Sequence, residues 1–207
     1  MTVLNDLQII QELEKPHDVE HLIIHPLLDK NQIFGVKIDL RIDNELYRFK
    51  QGELVNIIVD SEIILNEIAD RIICPYGHDL CITPGELLFA YTYEFIKMPK
   101  NMMGRFEARA RLAKLGLIVS SGIIDPGFSD HLLLSFFNAG IFPIIIKPLM
   151  RVITITVEKI DPVKIDFYKR PKVRPQLDND KLVVSIPDYD SEVLKTYKNI
   201  KSEWVIP

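Results

Sequence analysis

The residues whose types and spacing invite chemistry lie in one segment, EARARLAKLGLIVSSGIIDPGFSDHLLLSFFNAG, residues 107–140. Three bases, Arg109, Arg111 and Lys114, fall within six residues there, and a glycine at Gly122 and a carboxylate at Asp125 follow. Clusters of Arg and Lys hold phosphates through charge-assisted hydrogen bonds, and Arg adds a planar fork of donors. The same trio also suits the solvated basic face of a short helix, and the pattern does not separate the two. Asp125 sits between an Ile-Ile pair and Pro126-Gly127, so it reads either as a buried-looking carboxylate or as a turn residue.

The elements that must position these residues are mainly strands. Runs rich in Val, Ile, Tyr and Phe recur at 36–42, 45–49, 87–93, 132–137, 144–146 and 152–157, punctuated by Gly, Pro, Asn and Asp. Several short strands at this spacing predict a sandwich or barrel. Near the start, Asn5 with Gln8 makes a capping-box pattern ahead of Leu7, Ile9, Ile10 and Leu13. That predicts an amphipathic helix ending near Lys15-Pro16. Residues 112–117 favour a short helical turn. The apolar stretch 141–155, interrupted by Pro143, Lys147, Pro148 and Arg151, reads as two strands paired across a turn. After Pro162 the run DFYKRPKVRPQLDNDK is basic and Pro-bearing, as expected of an extended arm. Such an arm is either a solvated terminus or a segment that packs on a neighbouring subunit and closes a site. Val193, Leu194, Tyr197 and Ile200 then recur at helical spacing, which predicts a terminal helix. The chain thus divides into a β domain with an N-terminal helix, residues 1–161, and an arm with a helix, residues 162–207.

Composition narrows the partners. At 207 residues, 47% hydrophobic and 26% charged, the chain buries a full core. A net charge of −4 gives no general basic footprint for nucleic acid, although a few local arginines can still hold one anion. Cys74 and Cys81 have no matching Cys or His pair at zinc spacing, so neither a disulfide framework nor a protein metal site is expected, and a reducing cytoplasm is the simpler setting. The N-terminal MTVLNDLQIIQELEK mixes Asp, Glu and Gln with its apolar residues, which suits neither a signal peptide nor a membrane span.

In order along the chain, a set of short motifs resembles the dCTP deaminase family of the dCTP deaminase/dUTPase superfamily. Arg109-Ala110-Arg111-Leu112-Ala113-Lys114-Leu115-Gly116-Leu117 resembles its Arg-Ser-Ser-Leu-Ala-Arg-Leu-Gly-Leu. Ile124-Asp125-Pro126-Gly127-Phe128 and Asn138-Ala139-Gly140 follow as the family's Ile-Asp-Pro-Gly-Trp/Phe and Asn-X-Gly do. Upstream, Gly35 to Arg41, Thr83 to Leu87 and Met98-Pro99 resemble further family strands. The resemblance implies a distorted jelly-roll or β-barrel of the dUTPase-like type that forms homotrimers. It also implies three sites between subunits, each closed by a C-terminal arm on which Tyr168, Lys172 and Gln176 match the Tyr, Lys and Gln of the family pattern. The implied ligand is a deoxynucleoside triphosphate, dCTP or dUTP, with Mg²⁺ carried on the triphosphate. The implied nucleotide-binding residues are Arg109, Arg111, Lys114, Gly122, Asp125, Tyr168, Lys172 and Gln176.

The departures bear on catalysis. The family's deaminase uses a Glu as general base on the strand after Asp-Pro-Gly. Ten residues beyond Asp125 that position holds Ser135, which cannot accept the proton of the attacking water near neutral pH. His131 shares a strand face with Ser135 but stands about 13 Å away along the strand, out of reach. Ala110 and Arg111 replace the paired serines, and Lys114 keeps the charge of Arg without its bidentate geometry. Gly122-Ile123-Ile124-Asp125 also resembles the dUTPase Gly-Val-Ile-Asp, in which the Asp activates water for attack on the α-phosphate. Phe128 stands where that branch has Tyr, and its Gly-rich C-terminal motif is missing. Three readings follow: a divergent dCTP deaminase (dCTP and water to dUTP and ammonia), a dUTPase-like diphosphatase using Asp125, and a non-catalytic nucleotide-binding or structural trimer.

Overall fold

A computed structural model of the chain describes residues 2–16, 18–50, 63–64, 68–163, 176–178 and 181–184. It divides into two compact units, residues 1–49 with 71–169, and residues 50–70 with 170–207. Numbered along the chain, the elements begin with β1 (Thr2–Val3), α1 (Asp6–Leu13), β2 (Ile23–His25), a 3-10 turn (Lys30–Gln32), β3 (Ile33–Phe34) and β4 (Lys37–Phe49). Then come β5 (Ile63–Ile64), β6 (Ala69–Ile73), β7 (Leu80–Ile82), β8 (Leu87–Lys97), β9 (Met102–Ala108) and α2 (Ala110–Ala113). The rest are β10 (Leu117–Val119), β11 (Gly122–Ile124), β12 (Ser129–Asn138), β13 (Ile144–Ile146), β14 (Arg151–Lys159), β15 (Gln176–Asp178) and β16 (Lys181–Val184).

The mainly β expectation is met, with strands in the order β10-β12-β8-β4-β14-β9-β11. The spine is β4. Its Ile38–Arg41 part pairs with β14, whereas its Ile42–Arg48 part pairs with β8, and the register shifts between Ile42 and Leu46. A bulge bends a strand and increases its twist, which lets one strand serve two sheet faces. The two runs predicted at 36–42 and 45–49 are therefore one bent strand. Period-two alternation drives the burial. On β8, Leu88, Ala90, Thr92, Glu94 and Ile96 point inward and the residues between them outward. Leu40, Ile42, Leu134, Phe136, Ile153 and Ile155 are among the residues that join this core. Each such side chain contributes about 1.5–3 kcal/mol by leaving water.

Helix α1 forms with its predicted capping box: Asn5 Oδ1 accepts from the Gln8 N–H at 3.0 Å, and Gln8 Oε1 from the Asn5 N–H at 3.1 Å. Its buried face differs from the expectation. Ile9 and Glu12 are buried, while Leu7 and Ile10 are exposed. Lys15 at 2.5 Å and Lys159 at 2.9 Å hold the Glu12 carboxylate and keep its pKa below the usual range, although burial itself pushes the other way. That ion triad fixes the helix against the end of β14.

The stretch 141–155 forms two strands as expected, but they do not pair with each other. β13 pairs with β7, and β14 with β4 and β9. The turn between them, in which Leu149 has φ of 67°, hooks onto β4 instead: the Leu149 N–H donates to Ile42 O at 2.8 Å, and the Ile42 N–H to Met150 O at 3.0 Å. The helical turn predicted at 112–117 begins and ends earlier, as α2, and Leu117 opens β10. Between them Gly116 has φ of +86°, and a Cβ there would lie 3.0 Å from the Gly140 backbone. Gly116→Ala is expected to cost about 2–3 kcal/mol, because the left-handed backbone and the contact both resist a side chain. Urea denaturation reads this directly as a lower midpoint.

In the second unit β15 and β16 form an antiparallel pair with Gln176 opposite Val183, and β16 pairs with β5 through Val183 and Ile64. The terminal helix predicted over residues 191–201 lies outside the described residues.

Candidate functional site

The motifs singled out by sequence meet one another as joints of the fold. Asp39 on β4 accepts from Arg109 Nη1 at 2.5 Å, joining segments 70 residues apart. Pro126 and Gly127, the latter with φ of +83°, make the turn after β11, closed by the Phe128 N–H on Asp125 O at 3.1 Å. Met98 clamps that turn: its O accepts from the Gly127 N–H at 2.9 Å, and its N–H donates to Phe128 O at 2.8 Å. Asn138 is fully buried, and its Nδ2 donates to Ile82 O and Phe142 O, both at 2.9 Å. The Ala139 N–H reaches Gly116 O at 2.9 Å.

A strongly basic concavity of about 430 Å³ is lined by Arg41, Arg109, Arg111, Met150 and Arg151. A second, of about 330 Å³, shares Arg109 and Arg111 and adds Gln32, Phe34, Lys37, Asp39, Ala110 and Thr154. Between them Asp39 is the hub. Besides Arg109 it accepts from Thr154 Oγ1 at 2.8 Å and from Arg151 Nη1 at 3.5 Å, while Arg151 Nη2 meets Asp29 Oδ2 at 2.7 Å. Arg41 donates to neutral partners, Leu149 O at 2.7 Å and Gln32 Oε1 at 3.3 Å. A guanidinium-rich hollow of this kind holds phosphate oxygens.

Behind it lies a buried carboxylate. Glu94 is 0% exposed and accepts from Gln32 Nε2 and from the Arg41 N–H, both at 2.8 Å. Burial pushes its carboxyl above the usual range, against those hydrogen bonds. Gln32 also accepts from the N–H groups of Leu28 and Asp29, so the Glu94–Gln32 pair fixes the turn that presents Asp29 to Arg151.

Ser135 is half-buried on the outward side of β12, opposite Phe89 of β8. Its N–H donates to Ser120 Oγ at 3.0 Å, and its O accepts from the Ser120 N–H at 2.9 Å, which places it beside the corner leading to Gly122. Gly122 packs against Phe106, whose ring a Cβ would meet at 2.9 Å. His131 shares the half-buried side of β12 with Ser135, but its Nδ1 lies 2.8 Å from Thr92 O and its ring stacks edge-on against Phe95.

Arg109 and Arg111 are thus brought together, and Arg111 points to the concavity. Lys114 is exposed at the C-terminal end of α2 and does not line it. Of the two readings of Asp125, buried-looking carboxylate or turn residue, the structure shows the second: Ile124 takes the buried position and the turn carries the carboxylate out into an exposed place. It also stands apart from the arginines. Ile124 pairs with Gly104, five residues before Arg109, a separation of about 17 Å along β9. On the arm, Gln176 lies in β15, while Tyr168 and Lys172 lie outside the described residues. Sequence reasoning missed Arg151, Asp29, Gln32 and Glu94 as site residues. Glu94 was findable, since a charge at an inward position of an alternating strand must have partners. Among the described residues no three His, Cys, Asp or Glu side chains converge as a metal site, and no helix is long and apolar enough to cross a membrane. Both cysteines are free, Cys74 buried and Cys81 exposed.

Comparison with known proteins agrees with the resemblance read from the motifs. The dCTP deaminase-like family matches residues 4–160. The chain is 30% identical over 193 residues to a dCTP deaminase of Colwellia psychrerythraea, covering 89% of this chain and 98% of that one. It is 32% identical over 182 residues to a dUMP-forming dCTP deaminase of Nanoarchaeum equitans, covering 81% and 89%. Among solved structures, the 2'-deoxycytidine 5'-triphosphate deaminase of Agrobacterium tumefaciens shares the fold, with a TM-score of 0.59 at 18% identity over 76% of this chain. The chain spans about half of that longer protein, 48%. With the family match covering most of the chain and the β fold shared, the protein belongs to the dCTP deaminase-like family.

Proposed function

We propose that this protein is a member of the dCTP deaminase-like family that binds a deoxynucleoside triphosphate, dCTP or dUTP, without deaminating it. The nominal reaction adds water to the cytosine C4 and releases ammonia, and it needs a base to deprotonate the water as it attacks. The observation that carries the reading is Ser135 at that position, a half-buried residue whose backbone is fixed by Ser120. On β4, two strands from Ser135, Glu45 is engaged elsewhere. Glu45 accepts from Arg71 at 2.7 Å and from the Tyr47 hydroxyl, and the Arg71 guanidinium holds its pKa below the usual range.

The nucleotide is held by its phosphates, with Arg109 and Arg111 in the concavity and Gly122, Asp125, Lys114 and the arm residues Tyr168, Lys172 and Gln176 as further contacts. Asp125 and the arginines are separated on one chain, so a site using both is assembled from two copies, and a homotrimer supplies it three times. Exposed Leu115, Ile118, Phe137, Ile141 and Phe142, gathered about the Gly116–Gly140 contact, support such self-association. Mg²⁺ would come in on the triphosphate, since guanidinium groups hold phosphate oxygens and not cations.

A thermal shift tests the binding. At about a hundred times its Kd, a ligand that binds only the folded state adds about 2.7 kcal/mol, a rise of about 5–10 °C for a chain of this size. A rise with dCTP or dUTP and Mg²⁺ is the expected result. No rise with either would leave a purely structural protein.

A further inference from the structure

Away from the arginine hollow, a carboxylate and two aromatic rings meet beside the β4–β8 ladder. Ile42 of β4 lies opposite Thr92 of β8, and both are buried. Asp43 and Tyr93, each the next residue along, therefore point together to the other side of the sheet. Tyr76, from the turn after β6, joins them there. Its hydroxyl donates to Asp43 Oδ1 at 3.1 Å, and its ring stands at 88° to that of Tyr93.

Two observations leave this corner ready for a ligand. The Asn44 N–H also donates to Asp43 Oδ1, at 2.7 Å, so both bonds fall on one oxygen. Asp43 Oδ2 has no hydrogen-bond or ion-pair partner among the described residues. The rings, for their part, stand apart. The Tyr76 and Tyr93 centroids are separated by 6.4 Å, against 5.5 Å for Phe49–Phe89 and 5.8 Å for Phe95–His131. Tyr76 is also 50% exposed, so solvent reaches the angle between the rings. The field at this edge is negative: Tyr91 is pushed up to about 12, first by burial and then by Asp130 and Glu45.

We propose that Asp43, Tyr76 and Tyr93 form a site for a protonated alkyl amine. Its N–H groups bond Asp43 Oδ2, while its charge and methylenes lie against the two rings. A carboxylate supplies the charge-assisted bond, and aromatic faces attract cations through their quadrupole. A free polyamine and a lysine side chain of a partner protein both carry this chemistry.

The test follows the tyrosine ring resonances of the full, tyrosine-labelled chain during titration with n-butylammonium, spermidine and a blocked lysine amide. The controls are n-butanol, which has no charge, and tetramethylammonium, which has no N–H. Resonances that Tyr76→Leu and Tyr93→Leu identify are expected to move with the three amines and not with n-butanol. Asp43→Asn keeps the size and removes the charge, and is expected to weaken binding about tenfold. Tyr76→Leu removes a half-exposed ring, and is expected to weaken it about twofold to fivefold. The urea midpoint of each variant checks its fold. Tighter binding of spermidine than of the blocked lysine assigns the site to a free polyamine, and the reverse to a lysine side chain. Either order upholds the site. Unmoved Tyr76 and Tyr93 resonances with all three amines overturn the proposal, as does wild-type affinity in Asp43→Asn. Tetramethylammonium bound as tightly as n-butylammonium would overturn the bond to Asp43 Oδ2.

Discussion

Ser135→Glu is expected to release ammonia from dCTP about 10²–10⁴ times faster than the wild-type chain, the acceleration that a positioned general base supplies. The backbone at this position is already fixed. Ser135 is paired with Phe89 across the ladder and held by Ser120 at the corner of β10, so a longer side chain projects from a defined point. Its half-buried, outward setting has room for a carboxylate without overpacking the core. Ser135→Gln is the control, since it matches Glu in size but cannot take a proton. Equal rates for the two variants would show that Ala110 and Arg111, in place of the paired serines, disable the chemistry as well.

The second large effect is on stability. Glu94→Ala is expected to lower the unfolding free energy by about 3–5 kcal/mol, because it strands a backbone N–H and the Gln32 amide in a fully buried site. It also releases the turn that presents Asp29 to Arg151, so it should blunt anion binding in parallel. The pH dependence has a definite sign. Burial raises the Glu94 pKa above 4.5, so the folded state holds that proton more tightly than the unfolded chain does. Its contribution is therefore greatest below 4.5, falls as pH rises through the raised value, and is level above it. The stability of Glu94→Gln relative to wild type should rise across that window. A difference independent of pH would show that Glu94 is not held protonated by its burial.

The strands were legible because alternation and turn residues act locally. The runs at 144–146 and 152–157 appear almost as read, and the Asn5–Gln8 capping box forms as drawn. What period two does not encode is which strand pairs with which. The turn at Leu149 hooks onto β4, so β13 and β14, neighbours in sequence, part company. On α1 the apolar residues counted equally in sequence, but Lys15 and Lys159 make Glu12 a buried position and leave Leu7 and Ile10 outside.

The candidate site was half legible for a similar reason. Its sequence signal was a dense run of bases, and Arg109 and Arg111 do converge. Arg41 and Arg151 lie far from that run in sequence, and only the β4–β14 register brings them in. Many of the residues that identified the family act as joints here: Asp39 on Arg109, Met98 on the Asp125 turn, and Asn138 on the loop beside Gly116. They secure the fold whether or not the reaction survives, which is why family membership and turnover are separable in this chain.

The most direct measurement incubates the pure protein with dCTP or dUTP and Mg²⁺ and follows ammonia and pyrophosphate separately, beside a thermal shift on the same samples. The account predicts stabilisation by the nucleotide with neither product formed. Pyrophosphate from dUTP that disappears in Asp125→Asn would favour the diphosphatase reading. Ammonia from dCTP at enzymatic rates would contradict the claim that Ser135 disables deamination.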